Sequence, residues 1–118
     1  MKRIELLAKW SGGYGDSGSY SGEFYIDDKQ YDLLKDYVLN DGIKYTNDIP
    51  NEELRLLLYA FEDKLSAEFK NVEKENWDCG LTGDRRDEYN SFDEWWTNYF
   101  TEYVYEGIVI SEDSLNAV

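Results

Sequence analysis

Leu54, Leu57, Leu58, Phe61, Leu65, Phe69 and Val72 recur at three- and four-residue spacing, the pattern of one apolar helix face. Pro50 and Asn51 stand at the start of this pattern, and Glu52 and Glu53 suit the positive end of a helix dipole. The spacing predicts a helix over 51–75. Such a stripe must be packed against other elements, so this helix is expected to be the spine of the core.

The strongest candidates for those elements are two N-terminal strands. From Lys2 to Trp10 the residues alternate, with Ile4, Leu6, Ala8 and Trp10 on one side and Arg3, Glu5 and Lys9 on the other. A second alternation places Tyr20, Gly22, Phe24 and Ile26 against Ser21, Glu23 and Asp27. The glycine-rich segment SGGYGDSGS between them reads as the mobile loop of a hairpin. Asp27 or Asp28 can then cap a helix over 28–40. Its apolar positions are Tyr31, Leu34, Tyr37 and Val38, and it ends at Asn40-Asp41-Gly42. The following IKYT reads as an edge strand, and 76–90 as a polar loop with Gly80 and Gly83, anchored by Trp77.

Ser91 followed by Glu94 has the spacing of a capping box and predicts a third helix over 91–106. At 100° per residue, Phe92, Trp95, Trp96, Tyr99, Phe100 and Tyr103 share its inner face. Asp93, Glu94, Thr97, Asn98, Thr101, Glu102 and Tyr105 point outward, and Gly107 terminates it. Residues 108–110 return as a short strand. A competing reading makes 103–110 one strand, since its residues are aromatic and β-branched. The tail SEDSLNAV is expected to fray. Together these elements predict a small α+β fold, an N-terminal antiparallel sheet packed with three helices, forming one acidic domain over 1–118.

At 118 residues, with 42% apolar and 17% aromatic side chains, the chain has enough hydrophobic material for a folded core. Its charge therefore belongs to a folded body. Twenty-six acidic residues against 12 basic ones leave a net charge of −14, a field that repels nucleic-acid phosphates and anionic lipid and attracts basic surfaces. Direct nucleic-acid binding is disfavoured. No run approaches the ~20 apolar residues of a membrane span, and MKRIELLAKW lacks the apolar core of a signal peptide. The lone Cys79 has no internal disulfide partner and reads as an inert structural thiol. A cytoplasmic, bacterial-host setting is the expectation.

The chain contains no histidine, so the commonest general base and metal ligand is missing and no Ser-His-Asp or Cys-His set can form. Catalysis would rest on carboxylates alone, and no pair has a singular spacing. Neither a catalytic residue nor a metal ligand nor a cofactor is predicted. Gly13, Gly15 and Gly18 match the glycine pattern of a nucleotide-binding turn, but a strand follows where that turn needs a helix. The segment reads instead as a loop whose Tyr14, Asp16 and Tyr20 contact a partner.

After Arg86 the chain has eight acidic residues and no lysine or arginine. Within that stretch Glu102 and Glu106, four apart, would repel each other on one helix face. Unneutralised acids interleaved with aromatics suit an interface. The predicted partner-binding residues are Asp87, Glu88, Tyr89, Asp93, Glu94, Glu102, Tyr105 and Glu106, with Tyr14 and Asp16 from the glycine loop. The predicted partner is a basic protein surface, the nucleic-acid-binding groove of a nuclease, whose lysines and arginines would meet carboxylates in place of phosphates. In size, charge and aromatic content the chain is similar, as a class, to small acidic phage proteins that block CRISPR or restriction nucleases. An immunity protein against a basic toxin would use the same electrostatics. A carboxylate enzyme would instead need convergent acids in a concave site.

Overall fold

A computed structural model describes residues 1–11, 17–81 and 85–115. Its elements are strand β1 (Lys2–Ser11), strand β2 (Ser17–Ile26), helix α1 (Asp28–Asn40), helix α2 (Glu52–Asp78), short helix α3 (Phe92–Trp95) running into a π-helix (Trp96–Val104), strand β3 (Tyr105–Val109) and short helix α4 (Glu112–Leu115). The architecture is the α+β arrangement the patterning predicts. Three antiparallel strands lie in the order β2-β1-β3.

The alternation in β1 does what it implies. Ile4, Leu6 and Ala8 are fully buried, and in β2 Phe24 and Ile26 join them on the same face. α2 crosses this face with Leu54, Leu58 and Leu65, α1 adds Leu34, and Ile49, Ile108, Ile110 and Leu115 close the cluster. At 27 residues α2 is roughly 40 Å long, which accounts for most of the 48 Å long axis. Its far half builds a second, aromatic cluster from Phe69, Phe92, Trp95, Phe100 and Val104.

Both long helices begin where their caps place them. The Asp27 side chain accepts from the Gln30 amide at 2.7 Å and Asn51 from Leu54 at 2.9 Å, each satisfying a free amide of the first turn. At the end of α1, Gly42 takes φ +68°, the left-handed conformation that lets the Ile43 amide fold back onto the Tyr37 carbonyl at 3.2 Å. α2 runs to Asp78, so Trp77 is helical and not part of a loop. Arg86 ties the following segment to it, its guanidinium 4.8 Å from the Trp77 ring and bonded to the Trp77 carbonyl at 2.7 Å.

Four expectations are corrected by tertiary packing. The predicted helix over 91–106 becomes one short α-helical turn, nine π-helical residues and then β3, so Tyr105 and Glu106 are strand residues. Gly107 does not end a helix. It sits in β3 at φ +115°, beside a break in register where Trp10 pairs with Tyr105 and Lys9 with Gly107. Glu106 is the extra residue of that bulge. The IKYT segment does not form a strand: its link to the chain beside it is the Ile110 amide bonded to the Lys44 carbonyl at 2.8 Å, and a 3-10 turn at Thr46–Asp48 follows because the buried Thr46 hydroxyl donates to Glu62. The tail is not frayed as far as Leu115, which is buried in the core and whose carbonyl accepts from the Tyr31 hydroxyl at 2.8 Å.

One acid lies inside this packing. Glu73 is 8% exposed, one turn beyond Phe69 on the inner stripe of α2, and burial raises its carboxyl above the ordinary value. A carboxyl raised in the folded state favours folding when protonated, so its contribution is fully present below the unfolded pKa and is lost as pH rises through the folded one. Glu73→Gln is therefore expected to raise the thermal midpoint at neutral pH and to change it little in acid. Scanning calorimetry at both pH values checks this, and an equal gain at each would rule out ionisation as the cause.

Candidate interaction surface

The surface begins at Arg85, whose backbone takes the left-handed conformation at φ 55°, rare for a residue with a side chain. The 3-10 turn Arg86–Glu88 follows, then Tyr89, and Ser91 caps α3 by accepting from the Glu94 amide at 3.2 Å. The Ser91 half of the predicted capping box is thus formed, and Phe92 and Trp95 are carried inward to Trp77, at ring-centroid distances of 6.1 and 5.6 Å.

From Trp96 the backbone widens into the i→i+5 pattern, closed by the Tyr105 amide on the Phe100 carbonyl. The aromatic content explains the wider turn. Phe100 packs at once against Trp95, five residues back, at 5.1 Å and stacks on Trp96, four back, at 4.5 Å. Side chains support the backbone here, with Asn98 donating to the Glu94 carbonyl at 3.1 Å and Thr101 to the Thr97 carbonyl at 2.9 Å.

The changed winding redistributes the tyrosines. Tyr103, expected on the inner face, is 73% exposed, and Val104 is buried in its place. Tyr105, expected outside, is half-buried as the first residue of β3, against Phe69 at 6.0 Å. Tyr99 and Tyr103 lie 5.8 Å apart, and Tyr89 lies 6.2 Å from Tyr99. With Arg85 and Asn98 they line an open cleft of about 530 Å³. The Arg85 guanidinium lies 5.7 Å from the Tyr99 ring centre, and its Nη1 is 3.6 Å from Glu88.

Of the predicted acids, Glu88 reaches this cleft through Arg85. Asp87, Asp93, Glu94, Glu102 and Glu106 are all exposed. The first 86 residues reach back to neutralise this stretch at two points among the described residues, Lys70 to Asp93 at 3.7 Å and Arg85 to Glu88. Both pairs are solvent-exposed and worth little, about 0.2–1 kcal/mol. Glu102 and Glu106, predicted one turn apart on one helix, stand on different elements, the first in the π-helix and the second in β3. Tyr14 and Asp16 lie outside the described residues. Tyr20, read as a loop contact, is half-buried and stacks on Phe69 at 5.8 Å.

Arg85, Asn98, Tyr99 and Tyr103 are the lining residues that sequence reasoning left out of the surface. Helical spacing assigned both tyrosines inward, and only the run of large rings in WWTNYF hinted that an ordinary helical turn would be crowded.

Tyr105 itself borders a second concavity. Thr46, Asn47, Glu62, Asp63, Ser66 and Tyr105 line a hollow of about 340 Å³. Burial raises the Glu62 carboxyl above its ordinary value, against the lowering effect of the Thr46 hydroxyl, and neighbouring Asp63 raises it further. The Tyr105 hydroxyl is raised too, first by burial and then by Glu62, while its bond to Ser66 opposes the shift. Among the described residues no group of three or more acids or cysteines is placed to hold a metal ion, and no helix is long and apolar enough to cross a membrane. Cys79 is exposed at the end of α2. Comparison with family models, curated proteins and solved structures finds no match for this chain.

Proposed function

We propose that this protein is a non-enzymatic inhibitor that binds a basic, nucleic-acid-binding protein, a nuclease of a bacterial defence system, by presenting carboxylates where that protein expects phosphates. The observation that carries the reading is the exposed set Asp87, Glu94, Glu102 and Glu106, without an ion pair among the described residues, in the same C-terminal stretch as the tyrosine-lined cleft, on a chain of net charge −14. Carboxylates held on folded elements can replace phosphates at lysine and arginine side chains without offering a bond to cleave. Their field accelerates encounter with a basic groove, and salt weakens it. The exposed Tyr103 and the half-buried Tyr89 and Tyr99 add contact area of the kind found at interface hot spots.

The test is capture from a bacterial lysate on the immobilised protein. A basic nucleic-acid-binding protein is expected to be retained at low salt, released at high salt and displaced by DNA. Retention that ignores both salt and DNA would overturn nucleic-acid mimicry. Recovery of a toxin encoded beside this gene would instead support an immunity protein using the same face.

The Glu62 hollow gives the carboxylate-enzyme reading its one foothold, since a half-buried acid of raised pKa is the kind of group that carries general acid chemistry. It is the weaker reading. Glu62 is already engaged by Thr46, and Asp63 beside it is exposed to solvent.

A further inference from the structure

Resting on that reading, we infer that the cleft of Tyr89, Tyr99 and Tyr103 is an arginine-binding site, which takes a guanidinium from the partner in preference to a lysine ammonium. The chain's own Arg85 shows the chemistry. Its guanidinium lies 5.7 Å from the Tyr99 ring centre with Glu88 3.6 Å from its Nη1, a cation over an aromatic face with a carboxylate at its edge. Tyr103, 73% exposed and 5.8 Å from Tyr99, extends that aromatic wall. The remaining space is about 530 Å³, ample for an arginine side chain.

Arg85 is a weakly held occupant. Its side chain is 62% exposed, and both its ion pair and its ring contact are of the surface kind that contributes little. Its backbone lies in the left-handed region, sparsely populated for a residue with a side chain. An incoming arginine can displace it or stack beside it. Glu88 supplies the charge complement beside Arg85, whereas Arg86 is turned away onto Trp77. A guanidinium suits this site because it is planar, weakly hydrated and forked, so it can stack on a ring and engage a carboxylate at once; an ammonium is a compact, strongly hydrated point charge.

The test uses two probes of equal length and charge, a glycine-spaced arginine peptide and its lysine counterpart, titrated by calorimetry and by NMR at low and near-physiological salt. The arginine peptide is expected to bind roughly two- to fivefold more tightly. Tyr103→Ala, a surface change, is expected to erase that preference without altering the lysine peptide's affinity. Tyr103→Phe should keep most of it, and Arg85→Ala should strengthen arginine binding by emptying the cleft. Equal affinity for the two peptides, or a preference unchanged in Tyr103→Ala, overturns the arginine site and leaves the acidic surface standing. Absence of salt-dependent binding by either peptide overturns both.

Discussion

Phe69→Ala is expected to destabilise the protein by about 3–5 kcal/mol, the usual cost of deleting a fully enclosed ring. Phe69 is 1% exposed and sits on α2 where four other elements meet. Its ring lies 4.9 Å from Trp10 of β1, 5.8 Å from Tyr20 of β2, 5.7 and 5.5 Å from Trp96 and Phe100 of the π-helix, and 6.0 Å from Tyr105 of β3. Rings of that size cannot all move inward to fill the space, so the lost transfer energy is joined by a cavity cost. Against a total stability of about 5–15 kcal/mol, much of the native population would be lost. Denaturant titration measures the change, and near-UV circular dichroism follows the aromatic cluster directly. Leu56→Ala, 55% exposed on the same helix, is the control and should stay within about 0.5 kcal/mol of the parent. A loss below about 1 kcal/mol for Phe69→Ala would mean that the aromatic cluster is not closed around it.

The second large effect concerns binding. Replacing Asp93, Glu94, Glu102 and Glu106 with the corresponding amides is expected to preserve the fold and lower affinity for the captured basic protein by at least about tenfold at low salt. All four side chains are exposed, and the single ion pair they make among the described residues, Lys70 to Asp93, is a surface pair of small worth. Stability should therefore move little. The salt dependence of binding should become shallower, since fewer charges meet across the interface. A companion variant neutralising Asp32, Asp36, Glu52 and Glu53 on α1 and α2 removes the same number of charges elsewhere. If it weakens binding equally, the overall charge acts and the C-terminal face does not. If the first variant binds as the parent does, that face is excluded as the contact.

The parts of this structure legible from the sequence share one property: a short-range period that one element can satisfy alone. Alternation from Lys2 to Trp10 needed only a sheet face to bury Ile4, Leu6 and Ala8, and the caps Asp27, Asn51 and Ser91 act within three residues of themselves. The candidate surface was legible only in outline. Its acids could be read as exposed because no core accepts an unpaired charge cheaply. Its tyrosines could not, because their direction depends on how wide the turn at Trp96 becomes.

By itself, then, the sequence determined the α+β class, the paired N-terminal strands, the spine helix and a strongly acidic C-terminal third. Tertiary structure alone decided where the third helix stops being a helix, which tyrosines reach solvent, and whether Leu115 belongs to the core. The physical reason lies in the aromatic cluster around Phe69. Fitting Trp96, Phe100 and Tyr105 about one ring outweighs the standard helical turn, and that fit involves residues far apart in the chain. A period counted along one segment carries no information about it.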